Sequence, residues 1–139
     1  MEDININEII DKINYLKTLR EELLESELSP EGAWIHQYKI HRSYPSGYES
    51  TYIYSKWQAD KPIFKRNPKK NALPVKSDKN EEYTNHQHIG SINDPKVEQA
   101  YKSWNNRKTL ENIEKAFERI EAIIYFLPFP NSDNTDDFK

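Results

Sequence analysis

His86 and His88 stand two apart in a stretch that reads as extended, and a strand sends such residues to the same side. With His36 or His41 they would supply imidazoles of the kind that suit zinc, copper or nickel. No cysteine occurs in the 139 residues to complete a thiolate cage, and the spacing around the other histidines matches no ligand motif. Polar strand residues are the simpler reading. Acid and base work would have to come from Glu49, Asp60, Asp78, Glu81 or Glu82, none of which lies in a catalytic context. Gly32, Gly47 and Gly90 are scattered singly, so neither a phosphate-cradling loop nor a dinucleotide fingerprint exists. Ser46-Gly47 lacks the Gly-x-Ser-x-Gly frame of a nucleophile elbow. The expectation is a protein that is not an enzyme and uses no metal or cofactor.

Charge offers a stronger signal. The formal net charge is −3, yet residues 1–32, 33–80 and 81–139 carry roughly −6, +7 and −4. The basic centre holds Lys39, Arg42, Lys56, Lys61, Lys65, Arg66, Lys69, Lys70, Lys76 and Lys79, interleaved with Tyr38, Tyr44, Tyr48, Tyr52, Tyr54, Trp57 and Phe64. Cations neutralise phosphates while aromatic rings stack on bases, so this mixture suits nucleic acid. Lys39, Arg42, Lys56, Lys65 and Arg66 are the candidate phosphate contacts, with Tyr52 and Tyr54 as stacking residues. Parity sets Tyr48, Tyr52, Tyr54 and Lys56 against Thr51, Ile53 and Trp57 on one strand, and Lys39 and His41 against Trp34, Tyr38 and Ile40 on the other. That arrangement allows a wet basic face beside a dry one. An ordinary exposed sheet also carries lysine and tyrosine, which leaves a protein partner as the competing reading.

The elements that must position these residues follow from periodicity. Ile6, Ile9, Ile10, Ile13, Leu16, Leu19, Leu23 and Leu24 repeat at helical spacing, which predicts a helix from Asn5, its N-cap, to about Glu27. Ala33 to Arg42 and Tyr48 to Trp57 read as strands around the turn Ser43-Tyr44-Pro45-Ser46-Gly47. Pro62 to Lys65 reads as a further extended piece, Asn67 to Asn80 as a long polar loop, and Glu82 to Ile89 as a last strand ended by Gly90. Asp94 and Pro95 start a second helix. Its stripe of Val97, Tyr101 and Trp104 resumes out of phase at Leu110, Ile113, Phe117, Ile120, Ile124 and Leu127, which predicts a break near 105–109. The fold class is therefore α+β: an N-terminal helix, a three- to four-stranded antiparallel β-meander and a broken C-terminal helix. Residues 1–127 read as one domain and 128–139 as a disordered acidic tail.

Trp34-Ile35-His36-Gln37-Tyr38, Tyr52-Ile53-Tyr54, Ala59-Asp60-Lys61-Pro62-Ile63-Phe64 and His88-Ile89-Gly90 before a helix resemble a family of short, uncharacterised proteins common in cyanobacteria. No activity comes with that resemblance. Three strands followed by a helix are also similar to the arm-type DNA-binding domains of phage-type integrases, which implies a sheet that enters a major groove. Those domains are basic overall, and this chain is not.

The acidic start lacks the pattern of a secretory signal, no apolar run reaches the roughly 20 residues of a membrane span, and cysteine is absent, so a cytoplasmic protein is expected. Its expected partner is nucleic acid, DNA before RNA. The alternative is an assembly or regulatory module that binds protein through its amphipathic helices. A homodimer through leftover apolar helix surface is a further candidate.

Overall fold

The computed structural model describes residues 3–66 and 82–126. Helix α1 spans Ile6–Glu25, strands β1 to β5 span Ala33–Ser43, Glu49–Ala59, Phe64–Lys65, Tyr83–Thr84 and His86–Ser91, and helix α2 spans Pro95–Phe126. The antiparallel sheet has the order β1-β2-β5, and β3 pairs with β4 in a small sheet of its own. The α+β class holds. The expected tail at 128–139 and the expected loop at 67–80 lie outside the described residues. Among the described residues, no helix is long and apolar enough to cross a membrane.

The described residues divide into two compact units: 26–66 with 82–107, and 3–25 with 108–126. In the first, β1 and β2 pair along their whole length from Ala33↔Ala59 to Ser43↔Glu49. The turn closes with Tyr44 N–H donating to Tyr48 O at 2.8 Å and Gly47 N–H to Tyr44 O at 2.9 Å. Gly47 sits at φ +85°, a left-handed conformation that a side chain disfavours. Ala33, Ile35, Trp57, Ala59, Phe64 and Ala100 form the buried core, with Ile89 and Trp104 packed against it. The odd-numbered positions at the base of the hairpin thus face inward.

The strand expected over Glu82–Ile89 is two strands. Asn85 separates them: its carbonyl accepts from Ala59 N–H at 2.9 Å and its Nδ2 donates to Asp60 O at 3.3 Å. Residues before Asn85 therefore pair with β3, and residues after it pair with β2. Gly90, expected as a terminator, lies inside β5 opposite Ser55, next to a register shift between Ser55 and Lys56. A Cβ at Gly90 would stand 2.5 Å from Asp94 Oδ2 and 2.9 Å from Asp94 Cβ. Glycine is needed there because Asp94 caps α2, its Oδ1 accepting from Lys96 N–H at 2.9 Å with Pro95 at the first helical position.

The expected break near 105–109 is absent, since α2 is one helix from Pro95 to Phe126. Counting only apolar residues hid two members of its buried stripe. Ser103 is buried between Ala100 and Leu110, and Arg107 is half-buried, donating from Nε to Ser29 O at 2.8 Å. The series Val97, Ala100, Ser103, Arg107, Leu110, Ile113, Phe117, Ile120 keeps helical spacing throughout. The change of phase is a change of side-chain chemistry within a continuous helix. In the first unit, Ser29 N–H donates to Ser103 O at 3.2 Å and Asn106 Nδ2 to Glu27 O at 3.2 Å, fixing the chain before β1 on α2.

In the second unit α1 lies antiparallel to the last part of α2, because Arg20 reaches Glu114 while Ile13 shares a groove with Ile120 and Ile124. Asn5 caps α1 as expected, Oδ1 accepting from Glu8 N–H at 3.1 Å.

Gly90→Ala should destabilise the protein by about 1–3 kcal/mol, because the new methyl displaces the capping carboxylate. Asp94→Ala alone should cost about 1 kcal/mol. Adding Gly90→Ala to Asp94→Ala should then cost less than it does in the wild type. Urea unfolding of the four proteins measures the coupling, and strict additivity would contradict the shared cap.

Candidate nucleic-acid interface

The β1–β2 register decides which side chains share a side. Tyr38 faces Tyr54, His36 faces Lys56, Ile40 faces Tyr52 and Arg42 faces Ser50, while Lys56 faces His88 and Gln58 faces His86 on β5. The face opposite the core therefore carries Trp34, His36, Tyr38, Ile40 and Arg42 on β1, Ser50, Tyr52, Tyr54, Lys56 and Gln58 on β2, and His86 and His88 on β5. No carboxylate stands at any of these positions.

The rings form a continuous row. His36 and Tyr38 lie nearly parallel with centroids 6.2 Å apart, Tyr38 meets Tyr54 at 6.0 Å, and Tyr54 meets Tyr52 at 6.2 Å and His88 at 5.7 Å. At the turn, Tyr44 and Tyr48 meet at 5.8 Å, and the hydroxyls of Tyr44 and Tyr52 share a hydrogen bond of 3.1 Å. Both cations lie over rings: Lys56 Nζ is 5.2 Å from the Tyr38 centroid and Arg42 Cζ 5.5 Å from that of Tyr52. Tyr38, Tyr52, Tyr54 and Lys56 remain half-buried by one another and Arg42 is exposed. Beyond Ile53, β2 pairs with β1 alone, so the outer hairpin is a two-stranded ribbon held by cross-strand side chains.

Of the residues expected to contact nucleic acid, the fold brings Arg42, Tyr52, Tyr54 and Lys56 together on this face. Lys39 pairs with Ile53 and lies on the opposite side of the ribbon, near His41, whose imidazole contacts Thr51 Oγ1 at 3.2 Å and Glu49 Oε2 at 3.7 Å. Lys65 is exposed on β3, alternating with buried Phe64, and Arg66 N–H donates to Glu82 O at 2.8 Å beside it. Lys69, Lys70, Lys76 and Lys79 fall outside the described residues. Parity assigned Tyr38 to the dry side, along with Trp34 and Ile40. The core is set instead by Ala33 and Ile35, which places Tyr38 and His36 on the open face. The missed signal was the turn: counting outward from Gly47 pairs Tyr38 with Tyr54 and makes their shared side visible.

The hydroxyl pair at the turn has unequal proton affinities. Hydrogen bonds from Ser50 and then Tyr44, with the Arg42 charge nearby, hold the Tyr52 phenol below its ordinary range. Tyr44 is pushed above it, chiefly by its hydrogen bond to Tyr52. Among the described residues, no three histidines, aspartates or glutamates stand close enough to hold a metal ion.

A scan of protein-family models gives no match, and comparisons with curated proteins and with solved structures give none either.

In an alkaline titration, Tyr52 should lose its proton before Tyr44. Replacing Tyr44 with Phe should move Tyr52 back up toward the ordinary phenol value, and Arg42→Ala should move it in the same direction. Ring carbon shifts of isotope-labelled tyrosine read both steps; simultaneous titration of the two phenols would contradict the hydrogen-bonded pair.

Proposed function

We propose that the chain is a non-enzymatic nucleic-acid-binding accessory protein whose contact surface is the open face of β1 and β2. The observation that carries this reading is the segregation of charge. A chain with 23 acidic and 20 basic residues presents a sheet face with Lys56, Arg42 and a row of rings but without a carboxylate. A phosphate approaching such a face meets attraction without compensating repulsion. Ring edges and faces offer sequence-tolerant contact with bases or sugars, and a two-stranded ribbon has dimensions that a major groove accepts. DNA is the expected partner.

Each residue then has a role. Arg42 and Lys56 meet phosphates, and their positions over Tyr52 and Tyr38 limit the side-chain freedom lost on binding. Tyr54, in contact with Tyr38, Tyr52 and His88, sits at the centre of the row and supplies stacking surface. Lys65 and Arg66 extend the basic character along β3 and its end. Lys39, on the reverse of the ribbon, belongs to a different surface and serves as an internal comparison.

Fluorescence anisotropy with labelled duplex DNA, single-stranded DNA and RNA at two salt concentrations tests the proposal. Arg42→Ala with Lys56→Ala should weaken binding to every sequence and reduce the magnitude of the salt slope by about 2. Tyr54→Ala should weaken single-strand binding about tenfold or more. Lys39→Ala should leave the face intact and change affinity far less. Absence of binding to all three probes at low salt would overturn the proposal.

A further inference from the structure

The helical unit leaves apolar surface that its own two helices do not cover. Leu23, Leu110 and Ile113 are buried at one end, but toward the other end Ile6, Ile9, Ile10, Ile123, Ile124, Tyr125 and Phe126 are exposed, Ile124 at 60 %. The apolar stripe of α1 is as wide as that of a helix packed against more than one neighbour, since it includes both Ile9 and Ile10 and both Leu23 and Leu24. One antiparallel helix covers only a seam of it.

Beside that seam runs a groove of about 830 Å³ floored by Ile13, Phe117, Ile120 and Ile124. Its two edges differ in sign. Lys17 and Arg20 stand on the α1 edge, with Glu21 next to them, whereas Glu114, Glu118 and Glu121 stand on the α2 edge. Arg20 and Glu114 already reach across at 3.8 Å, which leaves Lys17 on one side and Glu118 and Glu121 on the other without an ion pair among the described residues.

We propose that the occupant of this groove is a second copy of the chain, docked through the same helical hairpin to make a four-helix bundle. A two-fold axis brings each basic edge against the partner's acidic edge, so one set of contacts satisfies both copies at once. The exposed isoleucines and the floor of the groove become the shared core. An unrelated partner would have to bring an apolar helix with an acidic side and a basic side in matching order; a second copy has both by construction. This surface is built from residues of the helical unit alone, and the proposal does not depend on the role of the sheet face.

Sedimentation equilibrium of the full chain gives the oligomeric state, and mixing charge-reversed variants tests the docking mode. The wild type should be dimeric at about 100 µM, roughly a hundredfold above a micromolar dissociation constant. Ile124→Glu, at a position already exposed, should remain folded by circular dichroism and become monomeric. Lys17→Glu with Arg20→Glu should weaken self-association, as should Glu118→Lys with Glu121→Lys, and mixing these two variants should restore a mixed dimer. A role confined to one chain would not respond to mixing. A monomeric wild type at that concentration, or a dimer indifferent to these substitutions, would overturn the proposal.

Discussion

The register of the β1–β2 hairpin is the constraint on which the rest depends. Side chains alternate with a period of two, so a slip of one residue would send Ala33, Ile35, Trp57 and Ala59 to the wrong face and put the tyrosines against the helix. The closed turn from Tyr44 to Tyr48, with Gly47 in the left-handed region, holds the count. Burial at the base of the hairpin and aromatic pairing along its outer half then act on the same alignment from opposite sides of the sheet. Both reward one register.

Helix α2 shows how polar residues maintain a packed stripe where apolar ones would leave backbone groups unpaired. Arg107 donates to the Ser29 carbonyl, and the Ser103 carbonyl accepts from Ser29 N–H, so both backbone groups of Ser29 are satisfied without a regular partner strand. Ser103 Oγ donates to Ala100 O at 2.8 Å and so is itself satisfied while buried. A leucine at position 107 would lose the bond to the Ser29 carbonyl and hold the segment less firmly.

Much of this architecture was legible in the sequence because local rules and tertiary structure agree. Asn5 and Asp94 cap helices where they stand, and the hairpin turn lies where its residues place it. What was not legible depended on partners distant in sequence. The division of the last strand at Asn85 follows from hydrogen bonds to Ala59 and Asp60, which no window around Asn85 contains. The continuity of α2 followed from Ser103 and Arg107, polar by type but inward by position. For the candidate site, the basic and aromatic composition was visible, and Arg42, Tyr52, Tyr54 and Lys56 do share a face. The displacement of Lys39 to the reverse, and the addition of His36, Tyr38 and His88, came from the register and the bulge beside Ser55.

Tight packing among the rings serves the ribbon as well as any ligand, since cross-strand aromatic pairs contribute roughly 0.2–1 kcal/mol each. The absence of carboxylates from the same face is not needed for that purpose, and it is this feature that a polyanion would exploit. Nuclear magnetic resonance mapping during addition of a short oligonucleotide tests the assignment most directly. The account predicts shifts concentrated at the side chains of Tyr38, Tyr52, Tyr54, Arg42 and Lys56, with Lys39, Thr51 and the helical hairpin little changed. Shifts centred on the reverse of the ribbon or on the helices, with the tyrosine row silent, would contradict it.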